Sequence, residues 1–159
     1  MSGADLEIRA ACESDIPEIY SLLKIYSDRQ IVLPRSEENI RSYLKNFTVA
    51  LRDGRLCGCV ALRDFGSDLY EVRSLAVHPE CQRGGVGRAM VGHCIRKLQA
   101  KGHPSRLFSL TYQQAFFESL GFKVTDRHLF PEKIWSDCSK CAKRDRCDET
   151  AVLLESPEA

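Results

Sequence analysis

Gln82-Arg83-Gly84-Gly85-Val86-Gly87 stands where an extended apolar stretch stops and a helical pattern begins. Upstream, Leu69-Tyr70-Glu71-Val72-Arg73-Ser74-Leu75-Ala76-Val77 reads as a strand, and His78-Pro79 ends it because proline has no N–H to give a sheet ladder. Downstream, Met90, Val91, Cys94, Ile95 and Leu98 fall at helical spacing. The glycines of the loop let the main chain come close to a ligand, and the first amides of the helix then point into the loop, where the helix dipole favours an anion. A Walker loop is excluded, since it needs Gly-Lys-Ser/Thr. A dinucleotide fingerprint wants G-x-G-x-x-G and an acidic residue ending a second strand, which is a different order of parts. A glycine-rich turn that merely caps a helix is the plainer alternative; the strand before and the helix after weigh against it.

Working outward, Leu6-Glu7-Ile8-Arg9-Ala10-Ala11 is a first strand, and Ser14 reads as a helix cap before Asp15-Ile16-Pro17-Glu18, with proline suited to a first turn. Ile16, Ile19, Leu22, Leu23 and Tyr26 form the buried stripe of a helix running to about Ser27. Ser36, with Asn39 three residues on, caps a second helix that carries Ile40, Tyr43 and Leu44 inward. Phe47-Thr48-Val49-Ala50-Leu51 and Leu56-Cys57-Gly58-Cys59-Val60-Ala61-Leu62 are strands joined across Asp53-Gly54, a hairpin signal. Arg106 to Leu110 is a further strand, Gln113 to Leu120 a short helix closed by Gly121, Phe122-Lys123-Val124 another strand, and Ala151 to Leu154 a last edge strand.

The 159 residues, 43% hydrophobic and 28% charged, suffice for one well-buried core. A formal net charge of +1 gives no electrostatic reason to expect nucleic acid or a membrane surface as the main partner. The start, Met1-Ser2-Gly3-Ala4-Asp5-Leu6-Glu7, has neither a basic opening nor an apolar run, so no signal peptide is expected, and no apolar stretch approaches spanning length. Eight cysteines without an export signal predict reduced thiols in a cytoplasmic setting.

The pattern Gln82-x-x-Gly85-x-Gly87, after a strand ending in Val77-His78-Pro79, resembles the acetyl-CoA loop of the GNAT family of N-acetyltransferases. The order of elements resembles that fold over nearly the whole chain. The resemblance implies an α/β chain whose mixed, mostly antiparallel central sheet has roughly six to seven strands flanked by about four helices. It implies that 1–159 form a single acetyltransferase domain, the cysteine-containing segment 131–150 included. Acetyl-CoA is then the co-substrate, held by Leu75, Ala76, Val77, Gln82, Arg83, Gly84, Gly85, Val86, Gly87 and Arg88. Within the family, Leu33-Pro34-Arg35-Ser36, Asn46-Phe47-Thr48, Glu71 through Pro79, Leu107-Phe108-Ser109-Leu110-Thr111 and Phe116-Phe117-Glu118-Ser119-Leu120-Gly121-Phe122 look like the acetyltransferase domain of N-acetylglutamate synthases. That similarity implies L-glutamate as the acceptor and a place in arginine biosynthesis.

An ammonium group cannot attack a thioester until it loses its proton, so a base must stand near it, directly or through water. Glu71 is the candidate; on a regular strand it shares a face with Arg73, Leu75 and Val77. A bulge, common in the resembling family, would alter that phase, and a carboxylate paired with Arg73 or solvent is the competing reading. Negative charge growing on the thioester oxygen can be met by a main-chain N–H between Leu75 and Val77, and a strand edge there can pair with the pantetheine arm. Two glutamate carboxylates call for arginine's planar fork. Arg35 matches the family's position and Arg73 is the weaker candidate; an ordinary ion pair is the alternative for each.

The chain departs from the family pattern in three places. Many GNAT enzymes have a proton-donating tyrosine where this chain has Phe117, and their asparagine earlier in that segment is missing too; Tyr112 is near in sequence, and a thiolate of modest basicity can leave unaided. Asp148-Glu149-Thr150 stands where the larger synthases carry Arg-x-Ser. Nothing resembles their arginine-sensing kinase-like domain, so feedback by that route is not expected. Transfer to another small amine or a protein amino terminus, and a non-catalytic CoA-sensing or metal-binding module, are the rival readings. Cys138-Ser139-Lys140-Cys141 and then Cys147 offer three thiolates for zinc or an iron–sulfur cluster, with a fourth ligand from His128, Asp148, Cys81 or water; metal-free thiols are the alternative. The sequence leaves open whether the chain forms a homodimer.

Overall fold

The computed structural model describes residues 5–82, 84–126 and 150–155. Strand β1 (Leu6–Ala10) leads through a short 3-10 turn, Glu13–Asp15, into helix α1 (Ile16–Ser27). The cap of that entry is Asp15, not Ser14. Its carboxylate accepts the Cys12 amide at 2.8 Å and the Arg9 guanidinium at 2.8 and 3.1 Å. Helix α2 (Glu37–Ser42) is capped as the sequence predicts, with the Asn39 amide donating to Ser36 Oγ at 3.0 Å. The helix ends early, so Ile40 is buried while Tyr43, expected inward, is 44% exposed.

Strands β2 (Phe47–Arg52) and β3 (Arg55–Asp64) join across Asp53 and Gly54, whose φ values of 56° and 73° are the left-handed pair that matches the twist of a tight hairpin. Then come β4 (Leu69–Val77), helix α3 (Val86–Gln99), β5 (Arg106–Thr111), helix α4 (Gln114–Glu118), β6 (Lys123–Thr125) and β7 (Thr150–Glu155). The seven strands form one mixed sheet in the order β1-β2-β3-β4-β5-β7-β6. Strands β4 and β5 run parallel, while β1 with β2, β2 with β3, β5 with β7 and β6 with β7 pair antiparallel. The last strand is therefore not an edge: β7 lies between β5 and β6, with Phe108 opposite Leu153 and Val152 opposite Val124.

The chain divides into two compact units, Met1–Leu62 with Val72–Cys94, and Arg63–Glu71 with Ile95–Ala159. The core of the first packs Ile16, Ile19 and Leu23 of α1 and Ile40 of α2 against Phe47 and Val49 of β2. Each such side chain contributes roughly 1.5–3 kcal/mol on burial. In the second, Leu69, Phe108 and Ala151 are the buried centre, with Phe65, Leu110 and Leu153 against them. Phe117 sits edge-on to Phe116 and Phe122, centroids 5.1 Å apart in both pairs.

Candidate active site

Strand β4 carries the candidate base and the candidate ligand edge on one element. Its parallel register with β5 runs Leu69 to Arg106, Tyr70 to Leu107 and Glu71 to Phe108, so Glu71 is the last residue in that register. Glu71 is 2% exposed. Three residues on, Ser74 has φ of 52°, left-handed for a non-glycine residue inside a strand. Such a residue interrupts the pleat as a bulge does. The single face expected from Glu71 through Val77 is therefore broken at Ser74: the two-residue period joins Glu71 to Arg73 but does not carry to Leu75 and Val77.

Ser74 is held from two sides. Its carbonyl accepts the Cys59 thiol of β3 at 3.5 Å, and its hydroxyl accepts Arg35 Nη1 at 3.1 Å. Burial pushes the Cys59 thiol up to about 12, so it stays a neutral donor. Arg35 also donates through Nε to Asn39 Oδ1 at 2.8 Å and lies over the rings of Phe47 and Tyr43, 4.9 and 5.6 Å from their centroids. Two aromatic faces and two hydrogen bonds fix one orientation of the guanidinium plane, which is what carboxylate recognition by a planar fork requires. The exposure of Tyr43, unexpected from the sequence, goes with this stacking.

The loop after β4 is built in steps. The His78 amide donates to the Cys57 carbonyl at 2.7 Å, and the 3-10 turn Pro79–Cys81 is capped by His78 Nδ1 accepting the Glu80 amide at 3.1 Å. Gln82 Nε2 donates to the Tyr26 hydroxyl at 3.0 Å, and that hydroxyl donates to the Val77 carbonyl at 2.6 Å. One phenol thus ties the loop to the end of β4. Gly85 has φ of 74°, and its carbonyl accepts the Ala89 amide at 3.0 Å as α3 begins at Val86. The amides of Val86 and Gly87 lie in the first turn, where a helix has no internal acceptor to offer them. A Cβ on Gly84 would stand 2.9 Å from Arg52 Nη1, which puts a guanidinium beside the loop.

Three features escaped the sequence reading. Arg52 carried no expectation, and Tyr26 was only part of a buried stripe. Gly58 of β3 faces α3 so closely that a Cβ would lie 2.7 Å from Met90 Cε, 3.0 Å from the Ala76 carbonyl oxygen and 3.1 Å from Val86 Cγ1. The first turn of α3 rests on that glycine. A glycine within an apolar strand was the available signal. Of the other expected ligand residues, Ala76 is buried, Leu75 and Val77 half-buried, Arg73 half-buried and Arg88 exposed. Phe117 is buried, and Tyr112 is 36% exposed. Arg83, Cys138, Cys141 and Cys147 lie outside the described residues. Among the described residues no group of three His, Cys, Asp or Glu side chains is placed to hold a metal, and no helix is long and apolar enough to cross a membrane.

Comparison with known proteins identifies the family. Residues 44–124 match the model of the acetyltransferase (GNAT) domain. An uncharacterised N-acetyltransferase of Chlorobaculum tepidum is 37% identical over 153 residues, 96% of this chain and 98% of that protein. The amino-acid acetyltransferase of Neisseria meningitidis is 37% identical over 131 residues, 81% of this chain but 30% of that protein. Among solved structures, N-acetylglutamate synthase from Neisseria gonorrhoeae, complexed with coenzyme A and N-acetyl-glutamate, matches with a TM-score of 0.84 at 30% identity, over 98% of this chain and 36% of that one. A Mycobacterium tuberculosis protein in complex with CoA matches with a TM-score of 0.80 at 27% identity, over 94% of this chain and 98% of that one. The chain thus spans about a third of the length of the amino-acid acetyltransferase and the synthase it matches.

Proposed function

Because this chain belongs to the GNAT family of acetyltransferases and is an acetyl-CoA-dependent N-acetyltransferase of that type, we propose that its acceptor is the α-amino group of L-glutamate, attacked directly in a ternary complex. The observation that carries the acceptor is the likeness, over nearly the whole chain, to a synthase solved with coenzyme A and N-acetyl-glutamate. The seating of Arg35 supports it, since a guanidinium oriented by Phe47, Tyr43, Asn39 and Ser74 is prepared for a carboxylate.

In this reading the amides at the start of α3 and the Gly84–Gly85 turn bind the diphosphate of acetyl-CoA, with Arg52, Arg83 and Arg88 adding positive charge. Main-chain groups of Leu75, Ala76 and Val77 pair with the pantetheine arm, and one of their amides stabilises the oxygen of the tetrahedral intermediate. Glu71 takes the proton of the glutamate ammonium, directly or through water; the freed amine attacks the thioester carbon, the C–S bond breaks, and the proton that the new amide nitrogen sheds passes to the departing CoA thiolate, directly or through water. Arg35 holds one acceptor carboxylate and Arg73 the other. Residues 1–159 work as one catalytic domain, in a cytoplasmic setting that suits arginine biosynthesis.

The test is CoA thiol release from acetyl-CoA, measured with each amino acid in turn and with short peptides. Saturable turnover with L-glutamate, confirmed by N-acetylglutamate in the product, is the expected result. Turnover with peptides alone, or acetyl-CoA binding without any turnover, would overturn the assignment.

A further inference from the structure

The two sulfurs of Cys57 and Cys81 lie 2.9 Å apart, the Cys81 thiol donating to the Cys57 sulfur. The backbone makes this pairing. The His78 amide is bonded to the Cys57 carbonyl at 2.7 Å, and the Cys81 amide returns to the His78 carbonyl at 2.8 Å, so one 3-10 turn carries Cys81 back over β3. Cys57 is buried and Cys81 half-buried, and both are free thiols. A disulfide needs a separation near 2.05 Å, so closing the pair draws the sulfurs together by roughly 0.9 Å.

We propose that Cys57 and Cys81 form a reversible disulfide, a modification site whose closure weakens acetyl-CoA binding through the adjoining loop. The reaction needs a small-molecule disulfide as oxidant. Cys81, the accessible partner, loses its proton and attacks one sulfur of that disulfide, releasing one small thiol and leaving a mixed disulfide on Cys81. Cys57 then loses its proton and attacks Cys81 Sγ, releasing the second small thiol. Two protein S–H bonds are lost, one S–S bond is gained, and the oxidant is reduced to two thiols. Burial and the neighbouring sulfur push the Cys57 thiol up to about 11, which fits a resolving partner rather than the first attacker.

The effect on the ligand rests on the acetyl-CoA reading of the 82–88 loop. Cys81 is the residue before Gln82, whose side chain reaches Tyr26 and through it Val77. Binding sites hold productive geometry to within about 0.5 Å, and whatever part of the closure side-chain rotation does not take up falls on the main chain beside the Gln82 anchor.

The experiment incubates the protein with oxidised glutathione, blocks residual thiols and maps tryptic peptides by mass spectrometry. A linked pair of peptides 56–63 and 74–83, two hydrogens lighter than their sum, is expected in the wild type and in Cys59→Ala, and is expected to vanish in Cys57→Ala and to return to separate peptides on reduction. Stable glutathione on Cys81 alone, a link that survives Cys57→Ala, or Cys81 joined to Cys138, Cys141 or Cys147 would overturn the pairing. Calorimetry of the cross-linked protein is expected to give a severalfold weaker acetyl-CoA affinity than the reduced protein; equal affinity would overturn the coupling. If the reduced protein binds no acetyl-CoA, the reading of the loop falls while the peptide map still decides the disulfide.

Discussion

In the proposed reaction, acceptor choice turns on Arg35 and proton transfer on Glu71. Hydrogen bonds to a charged group are worth roughly 1.5–3 kcal/mol, so Arg35→Ala is expected to raise the glutamate KM about ten- to a hundredfold while leaving the acetyl-CoA KM nearly unchanged. Equal effects on both substrates would remove Arg35 from the acceptor site. Glu71→Gln keeps the shape of a buried side chain but removes the base, and kcat is expected to fall by about 10²–10⁴ with acetyl-CoA affinity retained. A kcat close to that of the wild type would exclude Glu71 from proton transfer. Both were named from the sequence because a family pattern marks their positions. Tyr26 was not: its role depends on the carbonyl of Val77, 51 residues away, and spacing along a helix shows only that a side chain points inward.

At the scale of elements, the hairpin, β4, the loop and α3 were readable because their signals are local: Asp53-Gly54, His78-Pro79 and the glycines that open the helix. A bulge in β4 was foreseen from the family resemblance but not its place at Ser74, and the interior place of β7 was not foreseen, since both are set by pairing between distant segments. The strand β3 positions α3 through Gly58. Gly58→Ala is expected to cost about 1–3 kcal/mol, read from the urea midpoint, because the tip of Met90 can swing aside but the Ala76 carbonyl cannot. An unchanged midpoint would mean that α3 is not seated on that glycine. The cap of α1 gives a pH signature. The hydrogen-bonded Arg9 guanidinium holds the Asp15 carboxyl below the usual carboxylate range. Stabilisation from a depressed carboxyl is fully present above its unfolded value of about 3.9 and is lost as pH falls through the folded value. Asp15→Asn is therefore expected to be less stable than the wild type at neutral pH and to lose less stability on acidification below about pH 4; an acid slope equal to that of the wild type would contradict the assignment.

For the whole molecule, the fold and the family follow from a chain in which one strand ends at a glycine-rich turn that opens a helix, and the proposed acceptor leans on a guanidinium held against two rings. The proposed grip on acetyl-CoA rests on main-chain amides rather than on special side chains, which is why glycine and helix position carried the reading of the sequence further than any catalytic residue did. The cysteines at 138, 141 and 147 fall outside the described residues and enter none of these steps. The diphosphate is the part of the donor that the loop should feel most. Titration calorimetry of acetyl-CoA against S-acetylpantetheine, which keeps the thioester and lacks the diphosphate and the phosphoadenosine beyond it, measures the grip on that end of the donor, and substitution at Gly85 assigns the share of the loop. Charge-assisted bonds from the loop amides should make acetyl-CoA bind more tightly by about a hundredfold or more, and Gly85→Val, which forces a branched side chain into a backbone angle of 74°, should abolish most of that difference. Equal affinity for the two ligands, or a Gly85→Val protein that discriminates as the wild type does, would contradict the grip of the loop on the diphosphate.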